Sequence, residues 1–320
     1  MATPKTLLQI VNTAQQELGL PQSGAIIGNT DFTVVQMLAL LNVAGEELRD
    51  HPEGGWTSMQ TEFNLVVNVP VLTTGNTTLN SPVIQGLPST SGLFANTWMC
   101  SGANIPTAAR IKSVDSISQV TLTMNVTGSS IGTPLVFSND TYSMPSDFKS
   151  YINRTWWDRT NRWELLGPDS PQMDQWHRSG IVVTGPRRHW RQLGKGSAQY
   201  RIWPQPAEIT TPLQLVYEYL SDSWVNVGGL GATFSSFFTS DTDTPVLDDR
   251  ALVLSLKYRF WQQKGYNYLP MQQEYMDWVD RLIARDGGAG NISLVKRQHP
   301  LFISPSAIQD GYYPAPSSTP

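Results

Sequence analysis

The sequence is poor in the residue types that most enzymes and metal proteins rely on. It holds one cysteine, Cys100, so no intrachain disulfide can form. That excludes a disulfide-stapled module and fits folding in a reducing compartment. Charge is sparse: 15% of residues are Asp, Glu, Lys or Arg, against about 25% in an ordinary domain. The formal balance of -4 argues against a globally basic nucleic-acid binder. No run approaches the ~20 apolar residues that span a bilayer. The opening residues lack a basic segment followed by an apolar stretch and a cleavage site, so no secretory leader is expected.

Histidine is scarce as well. His51, His177, His189 and His299 are spread along the chain, none paired at short ligand spacing, so no metal site is expected. Gly128–Gly132 matches G-x-S-x-G, but the nucleophile elbow needs a helix after the serine. Thr133 to Phe137 reads as strand, so a hairpin turn is expected there. Gly194-Lys195-Gly196-Ser197 lacks the spacing of a phosphate-binding loop. Asp241-Thr242-Asp243 lacks the further ligands of a calcium loop and reads as a solvated turn. No catalytic, cofactor-binding or metal-binding residue is assigned, and an enzyme is not expected.

What the chain has in quantity is aromatic side chains: 11 Trp, 11 Tyr and 10 Phe. With few charges, they suit either a well-filled β core or surfaces covered in an assembly. The period of the apolar pattern changes along the chain. Leu7, Val11, Ala14 and Leu18 recur at helical spacing behind a cap expected at Thr3. Val34, Met37, Leu38, Leu41, Ala44 and Leu48 form a second stripe behind Asp31. Phe63, Leu65, Val67 and Val69 then alternate, as do Leu213, Leu215, Tyr217 and Tyr219, which is the pattern of half-buried strands. Further strands are expected around Ile181–Thr184 and Gln199–Trp203. The stretch 71–133 is rich in Thr, Ser, Gly and Asn and reads as a small β subdomain inserted into a larger β unit that resumes at Leu135. Phe234, Phe237 and Phe238 sit in a polar loop and need a partner surface.

The helix from Asp248 to Lys264 is apolar on nearly every side, so its own domain or a neighbour must cover it all round. Another helix begins near Pro270 and stops at Gly287-Gly288. The rest is a proline-studded segment without periodicity, read as an arm. The fold class expected is α+β. A helical bundle from both chain ends (1–55 and 246–288) flanks an antiparallel sandwich or barrel-like β domain (56–70 and 134–245). That domain carries the insert 71–133, and an arm (289–320) completes the chain.

Tyr142-Ser143-Met144-Pro145-Ser146-Asp147-Phe148 resembles the Y-x-L/M-P-x-D-F segment of head-to-tail adaptors (tail tubular or head-completion proteins) of short-tailed phages. Later landmarks keep a similar order: Trp176 in an Asp-x-Trp context, a basic strand, Ile202-Trp203-Pro204-Gln205-Pro206, Tyr217-Glu218-Tyr219, Trp224, and the two late helices. The resemblance covers most of the chain except 71–133 and the final arm. It implies a structural ring, commonly twelvefold, beneath the portal of the DNA-filled head. Such a ring extends the DNA channel and docks the next tail component. The expected partners are further copies of the chain, the portal protein, a downstream tail or nozzle protein with possible fibres, and DNA passing non-specifically. No membrane anchor is expected. The place would be the virion neck, after synthesis in the host bacterial cytoplasm.

Under this resemblance Phe260, Trp261, Tyr275 and Trp278 are bundle or subunit-contact anchors. Arg187, Arg188 and Arg191 are an intersubunit or channel-facing basic patch. Lys296 to Pro320, with Lys296, Arg297, Leu301, Phe302, Tyr312 and Tyr313, is an arm for the portal or a neighbouring copy. Trp156, Trp157, Trp163 and Trp176 leave a rival open, a carbohydrate-binding or cell-wall-degrading tail module, since exposed tryptophans stack on sugar rings.

Overall fold

The computed structural model describes residues 4–52, 56–67, 69–179, 187–194, 198–206 and 212–286. The arm residues Lys296, Arg297, Leu301, Phe302, Tyr312 and Tyr313, the expected cap Thr3, the expected strand at 181–184 and Lys195–Ser197 lie outside these. The chain opens with α1 (Leu7–Glu17), α2 (Phe32–Arg49) and β1 (Gln60–Val67). It continues through β2 (Val71–Thr77), β3 (Val83–Ile84), β4 (Trp98–Gly102), β5 (Ile111–Ser116), β6 (Gln119–Leu122) and β7 (Ser130–Asn139). Next come β8 (Thr141–Ser143), β9 (Phe148–Tyr151), β10 (Trp157–Asp158), β11 (Trp163–Glu164), α3 (Pro171–Arg178), β12 (His189–Leu193), β13 (Gln199–Trp203) and β14 (Leu213–Ser221). Finally there are β15 (Val225–Asn226), β16 (Phe234–Ser235), β17 (Thr244–Pro245), α4 (Asp249–Gln263) and α5 (Leu269–Asp286). The chain is α+β with several antiparallel sheets, and among the described residues no sheet closes into a barrel.

Helix ends follow local chemistry. The cap of α1 is Thr6, three residues beyond Thr3: its hydroxyl accepts from the Gln9 amide while the Gln9 side chain accepts from the Thr6 amide. Asp31 caps α2 and Asp248 caps α4, each accepting an amide of the first turn. α1, α2, α4 and α5 share one core, with Leu7, Ile10, Met37, Leu41, Leu252, Leu256 and Phe260 among its buried residues. Residues 251–258 of α4 are all buried. Its cover comes from the same chain, so its apolar circumference does not by itself require a neighbour. Even Lys257 is buried there, with its ammonium paired to Glu17 at 2.7 Å. Burying one leucine of this kind stabilises by roughly 1.5–3 kcal/mol.

A second core lies between the sheet β1-β14-β10-β11, with β9 also on β14, and the sheet β12-β13-β8. In β14 the alternation places Leu213, Leu215, Tyr217 and Tyr219 inside. Trp156 is sandwiched between Trp190 (centroids 4.0 Å apart, 18° between planes) and Tyr217 (3.8 Å, 11°).

The third core belongs to the insert, built from the sheets β2-β7-β4 and β3-β6-β5. Leu135 and Phe137 lie in it, and β7 runs unbroken from Ser130 to Asn139 while paired to β2 and β4. The expected return to the parent unit at Leu135 is thus displaced to about Asp140, because one continuous strand serves the insert. Of Gly128–Gly132, the expected turn, the last three residues already belong to β7, and no helix follows.

Two expectations about polar segments change. Asp243 is fully buried, not a solvated turn: it accepts from the amides of Gly228, Thr239 and Ser240 and from the Thr239 hydroxyl. Asp241 accepts from the amides of Ile26 and Ile27, which ties the loop to the N-terminal segment. Of the three loop phenylalanines, Phe238 enters the helical core edge-on to Trp224, whereas Phe234 and Phe237 stay about half exposed.

Candidate functional site

Asp140 is a carboxylate with no exposure, placed where β7 hands the chain to β8. Burial of an unpaired charge is costly, so it needs cations close by. Arg110 of the insert grips it with both terminal nitrogens, one at 2.7 Å. Arg178 at the end of α3 adds a contact at 3.2 Å and bonds Asp174 at 2.8 Å. Arg191 of β12 closes the chain on Asp174 at 2.9 Å. Burial opposes the charge of Asp174, but Arg178 and Arg191 outweigh it and hold the carboxyl below its usual range. The network therefore joins insert, α3 and β12 through alternating charges. The Arg178 guanidinium also sits 4.9 Å over the Trp203 ring.

α3 is the element that makes this possible. Ser170 caps it, its hydroxyl accepting from the Met173 amide, and Pro171 takes the first turn, where no amide donor is needed. Its buried residue is the ionised Asp174, not an apolar side chain. The helix escapes hydrophobic periodicity; the Ser170-Pro171 start is the signal that marks it.

Next to the network, α3 and β12 bring His177 and His189 together, with ring centroids 4.2 Å apart. Asp169, just before the cap, faces both: Oδ1 is 3.2 Å from His189 Nδ1 and Oδ2 is 3.6 Å from His177 Nε2. Their side chains are 12% (Asp169), 12% (His177) and 23% (His189) exposed. Burial, and then the neighbouring His189, lowers the pKa of His177. The Asp169 amide donates to the Trp190 carbonyl and the Trp190 amide to the Leu166 carbonyl, both at 2.9 Å, so residues 166–169 lie along β12. Gly167 permits that approach: it has φ +150, and a β-carbon there would stand 2.4 Å from the Trp190 carbonyl oxygen. No short motif joins residues 169, 177 and 189; the packing of α3 on β12 does.

The residues singled out in the sequence are placed as follows. Phe260 is buried in the helical core, Tyr275 packs on Tyr258 at 5.3 Å, and Trp278 donates its indole N–H to Asp248 at 2.9 Å. Trp261 packs edge-on to Tyr266 at 5.8 Å. Arg191 is spoken for by Asp174, and Arg188 donates to the Pro204 carbonyl at 3.2 Å with its Nε 4.0 Å from Asp158. Arg187 is half-buried. The three arginines therefore do not make a bare basic surface. Trp156 is core, while Trp157, Trp163 and Trp176 are 44%, 40% and 47% exposed. Cys100 is buried, which pushes its thiol up to about 12 and makes it a poor nucleophile. No helix among the described residues is long and apolar enough to cross a membrane.

Compared with known proteins, the chain matches no family model and no curated protein.

Proposed function

We propose that this chain is a structural head-to-tail adaptor of a phage neck. Copies form a closed ring, twelvefold by analogy with the family it resembles, beneath the portal. The ring extends the DNA channel and docks the next tail component. The observation that carries the reading is the convergence of its sequence landmarks. Tyr142, Met144 and Phe148 of the adaptor-like segment pack in one core with Trp190, Ile202, Tyr217 and Tyr219. Asp147 of the same segment accepts from the hydroxyls of Tyr219 at 2.8 Å and Ser221 at 2.7 Å. Motifs spread over some eighty residues thus answer to one packing problem, which supports reading them as a shared fold and not as scattered coincidences.

In this reading α1, α2, α4 and α5 are one bundle at the portal end, and the two sheets around Trp156 are a sandwich-like β domain toward the tail. The insert is a decoration held by Arg110. Uncovered apolar side chains gather where α2 begins and α4 turns into α5: Phe32 is 74% exposed, Tyr266 61% and Leu269 62%. Lys264 lies 5.6 Å from the Phe32 ring, linking the two sides of this patch. A neighbouring copy in a ring supplies cover for it, since a ring requires two different complementary faces on each subunit. The rival carbohydrate-binding reading is disfavoured by register. Trp157 pairs with Glu164, and Trp163 with Asp158. Trp157 and Trp163 therefore face opposite ways and do not share one platform.

The test is assembly. Native mass spectrometry and electron microscopy of the full chain, alone and with portal, should find a closed ring on the portal. Removing the residues after Gly290 should weaken portal attachment without unfolding the monomer. A chain that stays monomeric with portal and is missing from the necks of assembled particles overturns the proposal.

A further inference from the structure

We propose that Asp169, His177 and His189 form a site for a first-row transition-metal dication of the zinc class. Each residue offers one ligand atom, and the three atoms lie within 4.8 Å of one another. Bonds of 2.0–2.1 Å at tetrahedral angles set donors roughly 3.3 Å apart. The Asp169 carboxylate reaches both rings at close to that spacing, one oxygen 3.2 Å from His189 Nδ1 and the other 3.6 Å from His177 Nε2.

Within the protein His189 Nδ1 and Asp169 Oδ1 bond each other at 3.2 Å, but the third ligand atom is left unsatisfied. At 3.6 Å, His177 Nε2 is too far from the carboxylate for a hydrogen bond. That nitrogen is buried and, among the described residues, has no hydrogen-bond partner. Such atoms carry a desolvation cost unless something meets them. A cation seated between the two imidazoles and the carboxylate satisfies the lone pair directly. Asp169 brings a carboxylate to the two imidazoles, a donor set that suits a dication. Two imidazoles select against Mg²⁺ and Ca²⁺, which take oxygen ligands, and favour Zn²⁺ or its neighbours.

The scaffold is rigid enough to hold the site. Asp169 and His189 are fixed by the backbone bonds along β12. His177 is fixed because Asp174, one turn earlier on α3, is clamped by Arg178 and Arg191. Three protein ligands leave a further coordination position for water or a group from outside. The metal would staple α3 to β12 beside the network that carries the insert. This inference does not rest on the ring proposal and stands or falls separately.

The experiment uses the full chain, stripped with chelator and titrated with Zn²⁺ by calorimetry and with Co²⁺ by visible absorption. One equivalent should bind, and Zn²⁺ should raise the thermal midpoint. His177→Ala and His189→Ala, checked for folding by circular dichroism, should each weaken binding by more than the roughly 10–100-fold that loss of an outer hydrogen-bond partner costs. If these variants do not fold, histidine modification of the unaltered chain decides: Zn²⁺ should protect His177 and His189 but not His51. Absence of Co²⁺ absorption and of any Zn²⁺ shift in the unaltered chain overturns the site. So does binding that leaves both histidines as reactive as before, or that persists unchanged in folded variants.

Discussion

Trp224 lies against Gly45 so closely that a β-carbon on Gly45 would stand 2.1 Å from Cη2 of the indole. Gly45 is inside α2, where glycine costs about 1 kcal/mol relative to alanine. Trp224 has no exposure and is braced edge-on by Phe238 at 5.1 Å between centroids. Close approach outweighs propensity here. Gly45→Ala should destabilise the chain by about 1–3 kcal/mol through overpacking, read from urea denaturation. Trp224→Leu in the same background should recover part of that loss. A Gly45→Ala chain more stable than the parent would show that the indole is not seated on this helix.

Asp243 gives a pH-dependent prediction. Burial works against its charge, but the amides of Gly228, Thr239 and Ser240 and the Thr239 hydroxyl outweigh burial and hold the carboxyl below its ordinary 3.8. The folded value is depressed, so the stabilisation is complete above the ordinary value. It disappears as pH falls through the lower folded one. Asp243→Asn places an N–H against at least one of these donors and should cost about 3 kcal/mol at neutral pH. Its acid limb below about pH 4 should be shallower than the parent's. Parallel acid limbs in denaturant titrations would remove Asp243 from the account.

These two positions mark what the sequence discloses and what it hides. The alternation of Leu213, Leu215, Tyr217 and Tyr219 is legible because one face of β14 is buried and the side-chain period is two. The all-round burial of α4 is legible from its composition, but not whether its cover comes from this chain or another; α1, α2 and α5 provide it. Asp241 and Asp243 look like a polar turn because the local amides of Thr239 and Ser240 are completed by Gly228 for Asp243, and by the far Ile26 and Ile27 amides for Asp241, which no local pattern records. α3 is hidden for the opposite reason: it buries Asp174 instead of an apolar stripe. Asp169, His177 and His189 meet only because that helix packs on β12, and their spacing along the chain carries no trace of it.

Tyr219 and Asp147 test the core that unites the adaptor-like landmarks. The phenol of Tyr219 donates to Asp147 at 2.8 Å, and Ser221 donates to its other oxygen. Burial, followed by Asp147, raises the pKa of this phenol, so it stays a donor throughout the neutral range. Tyr219→Phe keeps the ring and removes one hydrogen bond to a charged acceptor, worth about 1.5–3 kcal/mol. Asp147→Ala removes both and should cost more. Equal losses for the two variants in chemical denaturation would mean that Ser221 contributes nothing.

Arg110 and Asp140 decide whether the insert is fastened by charge. Asp140 is fully buried and held by Arg110 from the insert and by Arg178 from α3. Asp140→Asn strips both arginines of their anion and should cost about 3–5 kcal/mol. Arg110→Met leaves Arg178 in place and should cost less, about 2–3 kcal/mol, because one cation still offsets the buried carboxylate. In the double variant the charges removed are complementary, so its loss should fall short of the sum by about 0.5–3 kcal/mol. Limited proteolysis supplies the local readout. Cleavage should rise first at the ends of the insert in Arg110→Met, while the helical core around Leu252 remains protected. Strict additivity together with an unchanged cleavage pattern would leave the insert held by β7 alone.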